Sequence, residues 1–204
     1  MPRQVDHEGR RRLIAEAVCR LADERGLEGV TLRDVAARAR VSMGAVQRCF
    51  STKDEMLAFT LDHVGERIGE RVRARVVRAP AQSAASALGH AATEVSLLDP
   101  VHRAEARVWL AFVAQAAVSP ELTRTLRTNY AALEEVFTHL IAEGGADAGG
   151  GADVDAQREA RTLLALADGL TAHVLIDHLT HDEALGVLDA HLSALWQRLT
   201  GSPS

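Results

Sequence analysis

The sequence predicts an all-α protein, and three observations carry the prediction. Apolar residues recur at helical spacing through nearly the whole chain. The composition is 47% hydrophobic but only 3% aromatic, so the core must be built from Ala, Leu and Val, a mixture that favours helix over sheet. Prolines number only 5, and Pro100 and Pro120 stand where helices begin. A chain of 204 residues has room for one large helical domain, or for a small domain joined to a larger one.

The elements follow in order. Residues 1–9 are polar and read as a mobile arm. From Arg10 to Arg25, Leu13, Ile14, Ala17, Val18, Leu21 and Ala22 form one buried stripe, and Gly26 ends the helix. Thr31 precedes "LRDVAARA" with Asp34 three residues on, a start resembling a capping box. Ser42 caps a short helix, Met43 to Cys49. Ser51 or Thr52 opens a longer one, with Asp54 and Glu55 in its first turn, running to about Arg78 before Pro80. Further helices are expected near 82–97, 101–117, 119–143, 154–179 and 182–199, about nine in all. The stretch "EGGADAGGGADVD" (143–155) reads as a flexible linker. Its glycines follow no strand, which argues against a dinucleotide-binding loop.

Charge divides the chain. The net charge of −5 argues against a globally basic nucleic-acid binder. Residues 1–55 nevertheless carry 11 basic and 9 acidic residues, whereas the remainder carries 12 and 19. That split fits a mildly basic DNA-reading head, 1–55, on an acidic body, 56–204. Cys19 and Cys49 have no C-x-x-C spacing, and a reduced, cytoplasmic setting is the default. The apolar run 108–118 is broken by Gln115 and is too short to span a bilayer, so no membrane partner is expected. No catalytic residues, cofactor or metal are expected. There is no G-x-S-x-G elbow and no Glu-x-x-His pair. In "HVLIDHLTH" (173–181), His173 and Asp177 share a spacing of four, but no further ligand completes a set.

The segment that carries function is "VSMGAVQRCFSTKDEM" (41–56). Two helices joined tightly around Arg40-Val41 make a helix-turn-helix. The second helix needs only about two turns to lie in a major groove. Val41, Val46 and Phe50 are its inward positions. Ser42, Met43, Ala45, Gln47 and Arg48 are its outward ones, and small Gly44 and Ala45 let the backbone approach DNA. Arg10, Arg11 and Arg12 are either a backbone-contacting arm or a charged helix start.

"GLEGVTLRDVAARARVSMGAVQRCFSTKDEML" (26–57) resembles the DNA-binding segment of the TetR family of bacterial transcriptional regulators. The matching features are Gly26, Gly29-Val30-Thr31, Val35-Ala36, Val41-Ser42, Gly44, Phe50, Lys53 and Leu57. The resemblance implies a three-helix head reading palindromic operator DNA, a larger helical body binding a small-molecule effector, and a homodimer. Carried over by position, it implies that Thr31 caps a helix and touches phosphate, that Arg33 lies near DNA, that Ser42, Met43, Ala45 and Gln47 face the groove, and that Lys53 binds phosphate. The family usually has Tyr where Gln47 stands, and often His or Tyr at Cys49. Gln47 can instead pair with adenine, and Arg48 can supply the phosphate contact. "RAEARVWLAFVAQAAVSPEL" (103–122) and "LADGLTAHVL" (166–175) resemble the betaine-regulator-like subgroup.

In the body, Trp109, Phe112, Val113, Tyr130, Leu133 and Phe137 are either core or the lining of an effector cavity, with Asp168 and His173 as its polar groups. The last two helices carry apolar residues on more than one face, from Leu163 to Leu175 and from Leu185 to Leu199. They serve either an internal core or a four-helix dimer interface. The function these readings favour is a ligand-released repressor. A helical enzyme and a ligand carrier that keeps the fold without reading DNA are the competitors.

Overall fold

A computed structural model describes residues 2–77, 83–147 and 154–201. Among the described residues there are nine α-helices, one 3-10 turn and no strand. The helices are α1 (Pro2–Arg25), α2 (Leu32–Ala39), α3 (Met43–Cys49), α4 (Lys53–Val77), α5 (Ala84–Val95), α6 (Arg103–Ala116), α7 (Pro120–Asp147), α8 (Ala156–Leu175) and α9 (His181–Thr200). They form two compact units. One comprises Met1–Glu66 with Ala104–Asn129, and the other Arg67–Arg103 with Tyr130–Ser204. The boundary expected at residue 55 falls inside the first unit.

In the first unit α1 packs on α2 and α3. The expectation of a mobile arm at 1–9 is corrected, because α1 is helical from Pro2. Proline is tolerated in a first turn, and the Arg12–Glu8 pair at 3.4 Å supports the turns that follow. Gly26 ends the helix at φ 73°, its N–H bonding to Ala22 O at 2.8 Å. Ile14, Ala17 and Val18 are fully buried with Val30, Val35 and Val46. Farther along the chain α6 joins this unit through Arg107, whose Nε donates to Asp23 Oδ1 at 2.6 Å. His63 Nε2 of α4 lies 3.0 Å from Glu16 Oε1 of α1.

In the second unit α5, α8 and α9 pack on one another around Leu88, Leu163, Leu188 and Leu195. Its buried polar residues Glu94, Ser96, Glu159 and Thr171 are hydrogen-bonded. Glu159 takes both Arg198 Nη1 and Nη2, at 2.8 and 3.0 Å. Glu94 receives Arg71 and Arg75 of α4, at 3.3 and 2.8 Å. The Thr171 hydroxyl donates to Ser96 O. Two element ends differ from expectation. α7 continues through Gly144 and Gly145 to Asp147, into the expected linker. Those glycines serve packing, since a Cβ on Gly144 would fall on the Trp196 ring of α9. The linker's residues 148–153 lie outside the described residues. α8 stops at Leu175, short of 179, because the His178 and Leu179 N–H groups fold back onto His173 O and Asp177 turns left-handed at φ 56°.

Candidate nucleic-acid interface

The helix-turn-helix is built by three local devices. First, the Thr31 Oγ1 accepts the Asp34 N–H at 3.2 Å and donates to Asp34 Oδ2 at 2.7 Å, fixing the start of α2. That hydroxyl bond, helped by the Arg25 guanidinium 2.9 Å away, holds the Asp34 carboxyl below its ordinary value. Second, α2 ends in a Schellman turn. Val41 N–H bonds to Ala36 O at 3.0 Å and Arg40 N–H to Ala37 O at 3.2 Å. Arg40 takes the left-handed position at φ 57°, where glycine is the usual choice. Third, Ser42 Oγ accepts the Ala45 N–H at 3.2 Å and opens α3.

α3 therefore leaves the turn with its faces sorted. Val46, Cys49 and Phe50 are buried behind it. Ser42, Met43, Gln47 and Arg48 are exposed, Met43 at 40%. The outward set is corrected at Ala45, which is only 7% exposed. At about 100° per residue, position 45 lies beside position 49 on the buried arc, while 43, 44, 47 and 48 share the opposite one. Cys49, which stands where the family often has an aromatic, belongs to the core. A Cβ on Gly44 would meet nothing nearer than Arg48 Nη1 at 3.5 Å, an ordinary contact. The chain itself thus gives no steric reason for a glycine on this exposed face.

The flanking cations are of two kinds. Arg25 and Arg38 are tied to carboxylates, Arg38 through two 2.6 Å bonds to Glu24 that lower the Glu24 carboxyl from its ordinary value. Arg33 and Arg48 are exposed, and Lys53 is half-buried at the start of α4, beside the N-terminal end of the helix dipole. Arg11 pairs with a carboxylate, Glu55, at 3.5 Å and makes a further contact. It packs over Phe50 and Phe59 and is not part of a free arm. Nothing in the apolar periodicity of the sequence signals that contact, because both partners are distant in the chain.

The comparisons with known proteins bear on this head and on the rest of the chain. A profile of bacterial regulatory proteins of the tetR family matches residues 14–60. A profile of the C-terminal domain of BetI-type transcriptional repressors matches residues 84–197. The chain belongs to the TetR family of bacterial transcriptional regulators. The HTH-type transcriptional regulator PksA of Bacillus subtilis (strain 168) is 31% identical over 200 residues, covering 96% of this chain and 94% of its own. BetI of Burkholderia mallei is 35% identical over 144 residues, 70% of this chain and 71% of its own. A transcriptional regulator from Rhodococcus sp. Rha1 superposes with a TM-score of 0.80 at 32% identity, covering 92% of this chain and 96% of its own. A regulator from Saccharomonospora viridis in complex with choline shares the fold, with a TM-score of 0.78 at 24% identity over 90% of this chain and 95% of its own. The resemblances drawn from the sequence, to the family and to the BetI-like subgroup, are both borne out. The protein is a DNA-binding transcriptional regulator and not an enzyme.

The effector residues suggested by the sequence fall in both units. Trp109, Phe112 and Val113 lie on α6 in the first, with Phe112 fully buried. In the second, Tyr130, Leu133 and Phe137 share α7, and the Tyr130 hydroxyl donates to Asp168 Oδ2 of α8. His173 stands apart from Asp168. Five residues on, it lies about 140° around the helix, exposed and edge-on to His178 at 4.9 Å. Among the described residues no group of His, Cys, Asp or Glu is arranged to hold a metal ion. No helix of the described residues is long and apolar enough to cross a membrane.

Proposed function

We propose that this regulator is a homodimeric repressor, acting in the cytoplasm, that a small-molecule effector releases from a palindromic operator. The observation that carries the DNA reading is the exposed face of α3, which no described residue covers. Gln47 can pair bidentately with adenine, with Met43 and Ser42 flanking it on the groove side. To Arg33, Arg48, Lys53 and the Thr31 hydroxyl we assign phosphate contacts, which set register without reading sequence. Thr31 already holds Asp34, so a phosphate bond from it competes with the cap.

The BetI-type match over 84–197 supports an effector site in the C-terminal part. The Tyr130–Asp168 pair is the polar element we assign to it, beside apolar Leu133 and Phe137. For the dimer, α8 and α9 bury Leu163, Leu164, Leu188, Leu192, Leu195 and Leu199 within their own unit. Among their exposed residues, Ala165, Gly169, Gly186, Ala190 and Ala194 are small and Val187 is 43% exposed, beside polar neighbours such as Arg161, Asp189 and Ser193. Small residues allow close approach of a second helix pair, and a two-fold dimer matches a two-fold operator. Release follows if the effector favours a spacing of the two α3 helices other than the roughly 34–36 Å of one DNA turn. The loss of DNA affinity is then limited to that preference.

The test is selection of bound duplexes from a random-sequence library, followed by a reporter carrying the enriched sequence in cells with and without the protein. A palindromic motif whose reporter rises when the protein is deleted supports repression. A reporter that falls on deletion identifies an activator, and no enriched motif removes the operator reading.

A further inference from the structure

We infer that Arg11 of α1 is a positioning residue for DNA recognition, holding the α3–α4 corner from behind without touching DNA. The inference rests on the reading of α3 as the recognition helix. Three features converge on one guanidinium. Its carbon lies 4.6 Å from the centroid of the Phe50 ring and 4.4 Å from that of Phe59. The two rings meet each other at 5.5 Å, tilted by 55°. Its Nη2 lies 3.5 Å from Glu55 Oε1. The same Glu55 carboxylate accepts the Ser51 N–H at 2.7 Å through Oε2, and the Glu55 N–H bonds to Thr52 Oγ1 at 3.0 Å.

Each contact fixes a different part of the corner. Phe50 is the residue that ends α3, its N–H bonded to Val46 O. Ser51 and Thr52 are the turn, and Lys53 begins α4. Phe59 lies on α4, about two turns beyond its start. One cation on α1 thus ties together the end of the recognition helix, the turn and the helix bearing the phosphate-facing lysine. The Arg11 Nε is buried with no hydrogen-bond acceptor among the described residues, so the ion pair to Glu55 falls to Nη2 while the rings take the face of the guanidinium. A cation over the rings makes the cation–π contact and also pairs with Glu55, and an apolar side chain does neither.

The prediction separates base readout from phosphate attraction. The Arg11→Met variant keeps the apolar stem and removes the charge. Against a duplex selected by the wild-type protein, its affinity is expected to fall about tenfold, the scale of a partly desolvated cation–π contact. Affinity for a scrambled duplex of equal length should stay, and the slope of log affinity against log salt should be unchanged. The Arg11→Lys variant should recover much of the loss. Phe59→Leu, which leaves every charge in place, should repeat it and keeps the test alive should Arg11→Met not fold. A slope lower by about 0.9, with equal losses on both duplexes, would make Arg11 a phosphate contact and overturn the inference. Full affinity in both Arg11→Met and Phe59→Leu would overturn it as well. Failure of the wild-type protein to prefer the selected duplex would count against the recognition-helix reading itself.

Discussion

Three positions in the head carry separable physics at the scale of a residue. Gly44 is helical, half-buried and uncrowded, so Gly44→Ala should raise stability by about 1 kcal/mol from helix propensity alone. If the DNA backbone approaches there, the same change should weaken operator binding. Urea denaturation and anisotropy on one sample would register the opposite signs. Arg40 sits at φ 57°, so Arg40→Gly relieves a left-handed non-glycine residue and should stabilise the fold by about 1 kcal/mol in the same assay. Asp34 is held below its ordinary carboxyl value first by the Thr31 hydroxyl and then by Arg25. A depressed folded value means its contribution is present above the unfolded carboxyl value, about 4, and is lost as pH falls through the folded one. Asp34→Asn should therefore flatten the decline of stability below about pH 4 in an acid titration followed by circular dichroism, while leaving the Thr31 cap on the N–H in place.

At the scale of elements, α2, α3 and the start of α4 were legible because their signals are local. Thr31 with Asp34, Ser42 before Met43, and the acidic first turn after Thr52 are each read within four residues. The ends that moved depend on contacts distant in sequence. Gly144 looks like linker chemistry until Trp196 of α9 lies over it. α8 stops early because its last carbonyls are satisfied by the chain folding back at Asp177. Ala45 shows the same limit on one helix, since a small residue fits an outward or an inward position and only the register of Val46 and Cys49 decides. Glu94 makes an energetic prediction at this scale. It is a buried carboxylate receiving Arg71 and Arg75 of α4, so Glu94→Ala removes an anion from two cations. With Arg75 more than half exposed, we expect a cost of about 1–3 kcal/mol, below that of a fully buried pair, in denaturant unfolding.

For the whole molecule, the family was readable from residues 26–57, while the effector was not. The Tyr130–Asp168 pair joins residues 38 apart in the chain, and no periodicity announces it. Assembly is the other property of this scale. Ala190 is exposed among the small residues of α8 and α9 proposed to seat a second copy, so Ala190→Arg should leave the fold intact, as judged by circular dichroism. It should reduce the mass in light scattering from about twice 21.9 kDa to that of one chain. Operator affinity should fall with it, because one head holds only one half-site. An unchanged mass for that variant would place the interface elsewhere.

Sequence readout by the exposed face of α3 is checked by competition anisotropy of the wild-type protein and Gln47→Ala, on a selected duplex with scrambled duplex as competitor. Gln47→Ala should lose about 1–3 kcal/mol of preference for the selected duplex while binding scrambled DNA as before. Equal preference in both proteins would mean that the specificity of this regulator does not come from that face of α3.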